Sequence, residues 1–293
     1  MKPIKHIVIN GGGPLLLNMY GALKQSNHLK MWNHADIESY YGTSAGAILI
    51  TLMALKYEWD ELDNYIINRP WQHILKFNVI EIYDYYANNG IADKSFIYDL
   101  FSPLFKAKDI DIHVDFKTFR EITGVNLYLY ATVFSSFDVE EFSADSTPDV
   151  SILDAVYASS ALPILFRPIQ IGERIYVDGS IYMNYPILKC LERNNEPQTI
   201  LGIKNKMGEN ANIVKMEDMN MFSYLSQIMN MLFTKSQRCD TKDANVMEIK
   251  ITSCLNDLSN FFKIANSCVE RKTAIEKGMS DATELHSGIN EIL

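Results

Sequence analysis

The sequence predicts an α/β fold around a mostly parallel sheet. Short β-branched runs, such as residues 4–9 and 125–134, alternate along the chain with segments of helical period, such as residues 15–26 and 150–160. A parallel pair of strands needs a crossover connection, which is usually a helix. Alternation of strands and helices therefore favours a parallel sheet covered by helices.

The first half of the chain opens with a strand that runs into glycine. Residues 4–9 stop at Asn10 and a glycine triplet, which favours a buried strand followed by a turn. A helix, a strand, an apolar helix and an aromatic-rich stretch of helical period follow, at 15–26, 37–41, 47–56 and 60–105. Gly90 interrupts the last stretch, and we predict a helical insertion or cap over about 60–110.

In the second half, residues 125–134 follow Thr123-Gly124 as a strand, and residues 139–142 are expected to pair with it as a hairpin. The run RIYV, at 174–177, is a strand that ends at Asp178 and Gly179. The other predicted elements are a helix at 150–160, strands at 200–203 and 246–251, and helices at 216–233, 257–265 and 268–286. Because no repeat, low-complexity tract or linker appears, we expect one domain over residues 1–293, with a helical C-terminal region from about 205 to 293.

Composition argues against several classes of protein. The net charge of −9 should repel nucleic acid, and it offers no polybasic signal for anionic lipid. No CxxC pair occurs among the four cysteines, so a zinc site is not expected. The N-terminus lacks the apolar run of a signal peptide, and the longest apolar run, Ala45 to Leu55, is shorter than the ~20 residues that span a bilayer. We expect a cytoplasmic protein, and leave delivery into a host cell and membrane association open.

The segment Gly42-Thr43-Ser44-Ala45-Gly46 has the GxSxG pattern between a predicted strand and a predicted helix. This pattern is typical of a nucleophile elbow, in which the glycines permit a sharp turn and the serine is exposed at the helix N-terminus. That position offers backbone N–H groups and the positive end of the helix dipole to an oxyanion. Ser44 is therefore a candidate nucleophile.

Two residues are candidates for the base that would take the serine proton. An α/β-hydrolase would use a histidine late in the chain, and only His286 follows residue 113. His286 lies in the predicted C-terminal helix, which is not a typical place for a catalytic base. In addition, an α/β-hydrolase has several strands before its nucleophile elbow, and too few residues precede Ser44 to form them. The alternative is Asp178, at the carboxyl end of a strand, where open α/β sheets place functional groups. A purely structural Asp-Gly turn at this position also remains open.

Four ordered motifs then identify a resemblance. They are Gly11-Gly12-Gly13 with GAL at 21–23, GTSAG at 42–46, ASSALPILFRP at 158–168 and DGSIYMNYP at 178–186. With these motifs, spread over residues 4–186, the chain resembles the patatin-like phospholipases, which are lipid acyl hydrolases with a Ser–Asp dyad. The resemblance implies a patatin-like three-layer α/β sandwich around a mostly parallel central sheet.

The resemblance also implies a chemistry. Ser44 would attack an ester carbonyl and Asp178 would accept its proton, directly or through water, with its pKa raised by burial. The implied oxyanion hole comprises the backbone N–H groups of Gly11, Gly12, Gly13 and Ala45, while the elbow and turn glycines are Gly42, Gly46 and Gly179. The substrate would be a phospholipid or another acyl-ester lipid, with transient contact with a membrane surface as an option, and neither metal nor cofactor is expected.

Departures from the family pattern motivate a second function. Leu15 and Leu16 stand where the family usually has a basic residue and a glycine, Pro14 before them has no N–H to donate, and Ser180 replaces a Gly or Ala. A catalytically weak or inactive relative that binds lipid or a host partner is therefore the alternative. Nucleotide binding is disfavoured, because Leu16 occupies the last glycine place of GxGxxG and the chain has no GxxxxGK[ST].

Two apolar stretches allow more than one interpretation. The aromatic clusters between residues 65 and 105 could wall an acyl-chain pocket or contact a membrane, or simply pack a helical layer. The methionine-rich segment 216–233 could adapt to lipid or belong to the core.

Overall fold

The structure, a computed structural model, describes residues 2–71, 89–193, 195–206, 245–252 and 259–292, together with the helical positions 224, 227, 228 and 231. Apart from those four positions, the predicted helix at 216–233 lies outside the described residues, as does the part of the predicted insertion between 72 and 88.

Ten strands occur in the described part of the chain. They are β1 (His6–Ile9), β2 (Ser39–Thr43), β3 (Gly90–Ala92), β4 (Asn126–Val133), β5 (Val139–Phe142), β6 (Ile164–Phe166), β7 (Ile169–Ile171), β8 (Arg174–Asp178), β9 (Ile200–Asn205) and β10 (Met247–Ile251). In the main sheet, hydrogen-bonded neighbours follow the path β10-β9-β1-β2-β4-β8-β7, with β5 also paired to β4. The five strands from β10 to β4 are parallel, and β5, β7 and β8 add antiparallel pairs. A separate parallel pair joins β3 to β6.

The helices of the described residues lie on both faces of this sheet. They are α1 (Leu16–His28), α2 (Ala45–Ala54), α3 (Trp59–Asn68), α4 (Ser95–Ala107), α5 (Phe116–Thr123), α6 (Ile152–Ser160), α7 (Ile187–Glu192), α8 (Ser259–Asn266) and α9 (Cys268–Ile292). Capping residues set the ends of these helices. The side chain of Asp115, for example, caps the N-terminus of α5 by accepting a hydrogen bond from the Thr118 N–H at 2.7 Å. The same helix ends at Gly124, whose backbone lies in the left-handed region. None of the helices in the described ranges is long and apolar enough to cross a membrane.

Two apolar clusters cover the two faces of the sheet. The larger one packs α1, α2, α6 and α9 against one face, and α1 lies along α9. α2 is its centre, because all ten residues of that helix are buried. On the other face, Val8, Tyr41, Tyr130 and Ile200 pack against Ile187 of α7. The protein is therefore a three-layer α/β sandwich with a mostly parallel central sheet, and the predicted fold class is confirmed.

The predicted elements occur with small differences in their bounds, whereas the shortest strands were missed. The hairpin strand β5 has the predicted bounds, β2 begins and ends two residues later than predicted, and α9 extends past residue 286 to Ile292. Three strands of three residues each, β3, β6 and β7, were not predicted, and β3 interrupts the described part of the insertion at Gly90. The single-domain organisation stays a prediction.

Candidate active site

The site is assembled on one edge of strand β4. Leu129 and Tyr130 pair with both β2 and β5, while Ala131 and Thr132 pair with both β5 and β8, so β2 and β8 lie on the same edge of β4. β2 runs parallel to β4 and β8 runs antiparallel to it. Their carboxyl ends therefore meet head to head, with the last residue of β2 opposite Tyr130 and Asp178 opposite Ala131.

This meeting point brings Ser44 and Asp178 together. The Ser44 hydroxyl donates a hydrogen bond to Asp178 Oδ2 at 2.6 Å. The second carboxylate oxygen, Oδ1, accepts from the backbone N–H of Ser180 at 2.8 Å, and Thr132 Oγ1 donates to the Asp178 carbonyl at 2.9 Å. Ser44 is only 8% exposed and Asp178 only 1% exposed, so the pair is held in one geometry away from bulk water.

Burial also changes the basicity of Asp178. Desolvation raises the pKa of this carboxyl from 3.8 to about 6, although the hydrogen bonds from Ser44 and Ser180 act in the opposite direction. A carboxylate with a pKa near 6 is mostly ionised at neutral pH and is a stronger base than an ordinary aspartate. The pair thus has the geometry and the pKa that general-base removal of a serine proton requires.

Ser44 lies in a strained turn that two glycines make possible. Its φ of 54° and ψ of −122° fall in a region that non-glycine residues rarely adopt. A Cβ on Gly42 would lie 2.7 Å from the Gly46 carbonyl carbon, and a Cβ on Gly46 would lie 2.4 Å from the Ile9 carbonyl oxygen. Strand β2, helix α2 and the end of β1 therefore approach too closely for any side chain at these two positions.

A buried serine outside the elbow holds this turn in place. Ser159 Oγ accepts a hydrogen bond from the Ser44 N–H at 3.0 Å and donates to the Tyr130 carbonyl at 2.6 Å. It thus links the nucleophile candidate on the elbow to β4, the strand that also positions Asp178. The sequence indicated the ASSALP motif around Ser159 but gave it no role, because this bridge spans 115 residues of chain.

The first glycine of the triplet lies beside the dyad. A Cβ on Gly11 would lie 2.0 Å from Ser180 Oγ and 3.0 Å from Ser44 Cβ, so the bare Gly11 backbone lies against the dyad. The Gly11 N–H itself donates to the Asn184 carbonyl at 3.0 Å. Hydrogen bonds within the described residues include none from the N–H groups of Gly12, Gly13 or Ala45.

The departures from the family pattern form the wall next to this loop. Gly13, Pro14 and Leu15 make one turn of 3₁₀ helix, and Leu15 is buried. Where the family usually has a basic residue, this chain therefore has an apolar side chain in the core. Among the described residues next to the dyad, backbone N–H groups and the N-terminus of α2, which begins at Ala45, are suited to stabilise the charge on an oxyanion.

An apolar cavity extends from the dyad. The empty space in it, which includes the solvent at its open mouth, is about 1140 Å³. Ser44, Ala45, Gly13 and Asp178 line one part of it. Most of the remaining wall is apolar and comes from α2, α3, α4 and the segment after α6: Ile48, Leu52, Tyr65, Ile66, Phe96, Ile97, Leu100, Leu162, Leu165 and Phe166.

Several aromatic residues of the 65–105 stretch belong to this wall. Tyr65, Trp71 and Phe96 line the cavity, and Trp71 and Phe96 are also buried in the main core. The sequence left packing and pocket lining as alternatives for this stretch. These three side chains do both, because they pack in or against the main core and also line the cavity.

Arg271 is a cavity residue that sequence reasoning missed. It lies on α9, is 5% exposed, and its guanidinium donates to the carbonyls of Ile67, Ile264 and Ala265 at 2.7–3.0 Å. These carbonyls belong to the C-terminal turns of α3 and α8, where a positive charge is favoured by the helix dipoles. A single arginine in a helical pattern carries no sequence signal for such a role.

Similarity to known proteins identifies the family. A family model described as "Patatin-like phospholipase" matches residues 7–191. The chain belongs to the patatin-like phospholipase family. The match contains the GTSAG elbow, the buried serine of ASSALP and the DGS turn, so the resemblance inferred from the motifs is confirmed.

Two curated viral proteins are similar to the chain. "Probable lipid hydrolase 463L" of Invertebrate iridescent virus 6 is 27% identical over 197 residues, which are 67% of this chain and 66% of that protein. "Uncharacterized protein R571" of Acanthamoeba polyphaga mimivirus is 26% identical over 186 residues, 63% of this chain and 60% of that protein. The chain thus spans slightly less than two thirds of the length of these relatives.

Among solved structures, VipD from Legionella pneumophila has the same fold. The superposition has a TM-score of 0.55 at 15% identity and covers 98% of this chain and 67% of that one. Identity this low supports the fold alone.

Proposed function

We propose that the protein is a lipid acyl hydrolase of the phospholipase A type that uses a Ser44–Asp178 dyad. The single observation that carries this proposal is the 2.6 Å hydrogen bond between two buried side chains at one part of an apolar cavity. The cavity would hold the acyl chain of a phospholipid or another acyl-ester lipid, and the dyad would cleave its ester bond.

In the first half of the reaction, Ser44 Oγ attacks the ester carbonyl carbon while its proton passes to Asp178 Oδ2. The carbonyl π electrons move to the carbonyl oxygen, which becomes the oxyanion. The N–H groups of Gly12, Gly13 and Ala45 are the available donors for it, and a donor of this kind is worth ~3–4 kcal/mol in related enzymes. Gly11 could join them only by releasing the Asn184 carbonyl.

Collapse of the tetrahedral intermediate breaks the bond to the alcohol, which takes the proton from Asp178 and departs. A water molecule then gives a proton to Asp178 and attacks the acyl-serine carbonyl. When this second intermediate collapses, the proton returns to Ser44 Oγ and the fatty acid is released. Each half-reaction thus begins and ends with an ionised carboxylate, and no histidine, metal or cofactor takes part in the proposed steps.

The proposal is tested with a chromogenic ester that dissolves in water and with a phospholipid. Ser44→Ala should abolish hydrolysis of both, and intact-mass spectrometry should find one fluorophosphonate adduct, on Ser44. His286→Ala, on α9, is the matched control and should keep most of the rate, as should treatment with EDTA. Labelling at another residue would rule out Ser44 as the nucleophile, and a loss beyond ~100-fold in the His286 variant would instead support a triad.

A catalytically weak or inactive lipid-binding protein is the second candidate, favoured by one observation. Leu15 is buried where the family usually has a basic residue, so the oxyanion site lacks that positive charge. Equal rates for the wild type and Ser44→Ala on both esters, together with retained binding of a fluorescent fatty acid, would support this candidate.

A further inference from the structure

One stripe of helix α2 leads away from Ser44 and lines the apolar cavity. Ser44 caps the N-terminus of the helix, and Ala45, Ile48 and Leu52 follow it at successive spacings of three and four residues. All four residues line the same cavity. Because residues at this spacing lie above one another on one face of a helix, the cavity extends along α2 from the dyad for about two turns.

Helix geometry converts this stripe into a scale of distance. At ~1.5 Å per residue, Ile48 lies about 6 Å and Leu52 about 12 Å along the helix from Ser44. Carbon–carbon bonds of about 1.5 Å that meet at about 111° advance an extended hydrocarbon chain by ~1.25 Å per carbon. An acyl chain that left Ser44 along α2 would therefore pass Ile48 at about its fifth carbon and Leu52 at about its tenth.

The polar side chains of the cavity wall give their hydrogen bonds to the protein itself. The Tyr65 hydroxyl donates to the Leu100 carbonyl, and the indole N–H of Trp71 donates to the Ile66 carbonyl at 2.7 Å. Outside the dyad, the other polar side chains among the described lining residues also donate to backbone carbonyls: Tyr157, Ser160 and Arg271. A buried hydroxyl or amide on a ligand would lose its hydration without gaining a free donor, so this wall favours an unsubstituted hydrocarbon chain.

We propose that the acyl chain of the substrate lies along α2, and that Ile48 and Leu52 determine the preference for chain length. This inference rests on the proposed function, which supplies the acyl-ester substrate. Each methylene buried between Ser44 and Leu52 adds to the binding of the transition state. The favoured substrates are therefore esters of unsubstituted acyl chains with about ten carbons or more.

The test compares kcat/KM for p-nitrophenyl esters from butanoyl to dodecanoyl in one detergent, with each variant normalised to its own butanoyl ester. In the wild type, kcat/KM should rise by up to about fourfold per added methylene as far as the decanoyl ester. Ile48→Phe should remove this rise from the hexanoyl ester onwards, because the new ring fills the cavity near the nucleophile. Leu52→Phe should keep the rise as far as the octanoyl ester and then lower the ratio of decanoyl to octanoyl about tenfold.

Met53→Phe is the matched control. Met53 is also buried on α2, but it does not line the cavity, so the profile of this variant should follow the wild type. An ω-hydroxydecanoyl ester should react at least about tenfold more slowly than the decanoyl ester in the wild type, because the wall offers its hydroxyl no free donor.

Alanine variants make the same comparison if a thermal melt shows that a phenylalanine variant does not fold. Ile48→Ala should reduce the gain between the butanoyl and hexanoyl esters, whereas Leu52→Ala should reduce the gain between the octanoyl and decanoyl esters. Each change removes wall contacts from one part of the chain alone.

A binding measurement separates this inference from the proposed chemistry. Calorimetric titration of Ser44→Ala with primary alcohols from butanol to dodecanol requires no hydrolysis. The Ile48 and Leu52 variants in this background should change the affinity profile at the same two chain lengths as in the ester series. An inactive wild type with this alcohol profile would refute the proposed hydrolase and support the path along α2.

Three outcomes would overturn the path along α2. The Ile48 and Leu52 variants could change the profiles at the same chain length, they could leave the profiles unchanged, or Met53→Phe could change them as strongly. In each case the chain would follow a different wall of the cavity. Hydrolysis of the butanoyl ester by the wild type but not by Ser44→Ala would still support the dyad.

Discussion

Replacing Asp178 with asparagine should stabilise the folded protein while it removes the proposed base. The side chain of asparagine has the same shape, and its amide can keep both contacts of the carboxylate, with the Ser44 hydroxyl and the Ser180 N–H. It never carries a charge, however. The variant therefore removes the cost of burying an ionised carboxylate at a position that is 1% exposed.

The size of this cost follows from the pKa of Asp178, which burial raises from 3.8 to about 6. At ~1.4 kcal/mol per pKa unit, the ionised carboxylate destabilises the folded state by about 3 kcal/mol. Because the folded pKa is the higher one, the folded state binds the proton more tightly between these two values. The free energy of unfolding is therefore highest, as far as Asp178 is concerned, below about pH 3.8, where the carboxyl is protonated. This contribution is lost as the pH rises through about 6.

Urea denaturation at pH 8 and pH 4 measures the effect. Asp178→Asn should raise the free energy of unfolding by up to about 3 kcal/mol at pH 8, and the difference from the wild type should shrink towards zero at pH 4. Ester hydrolysis should fall by ~10²- to 10⁴-fold at the same time.

Asp149→Asn, at an exposed carboxyl, is the matched control and should change stability by less than ~0.5 kcal/mol at both pH values. The reasoning is refuted if Asp178→Asn is no more stable than the wild type at pH 8. It is equally refuted if its gain is the same at pH 4, because a gain without pH dependence cannot come from an ionised carboxylate.

Three further predictions concern the same site. On a water-dissolved ester, kcat/KM should fall about tenfold per pH unit below about pH 6, as Asp178 becomes protonated; a profile that stays flat down to pH 4.5 would contradict this role. Gly11→Ala should lower kcat at least ~100-fold, because its Cβ would lie 2.0 Å from Ser180 Oγ, and steady-state kinetics with a thermal melt will separate this from unfolding. Ser159→Ala should cost ~1–3 kcal/mol of stability in urea denaturation by leaving two buried backbone groups unpaired, whereas Ser160→Ala, which loses one bond within α6, should cost less.

Much of the fold was predictable because its signals are local. β-branched runs identified the long strands of the main sheet, helical periodicity identified α1, α2, α6 and α9, and the hairpin strand β5 was placed correctly to the residue. The strands β3, β6 and β7 have three residues each, too few for a period to emerge, and they exist because neighbouring strands satisfy their backbone groups.

The sequence by itself also determined which residues could do chemistry. The glycines around Ser44 and the turn after Asp178 are short-range features, since each reflects a backbone that one or two neighbouring residues must allow. From these motifs came the family, the nucleophile candidate and the base candidate. They left a structural Asp-Gly turn open, because a turn sequence does not say what its carboxylate contacts.

Only the tertiary structure decided how these residues meet. Ser44 and Asp178 are 134 residues apart, and they touch because β2 and β8 end head to head on one edge of β4. The hydrogen bonds of Ser159, the hydrogen bonds of the Arg271 guanidinium and the lining of the apolar cavity likewise join segments that are distant along the chain. Distances, burial and the pKa that burial sets are properties of packing between remote segments, and no local pattern in the sequence encodes them.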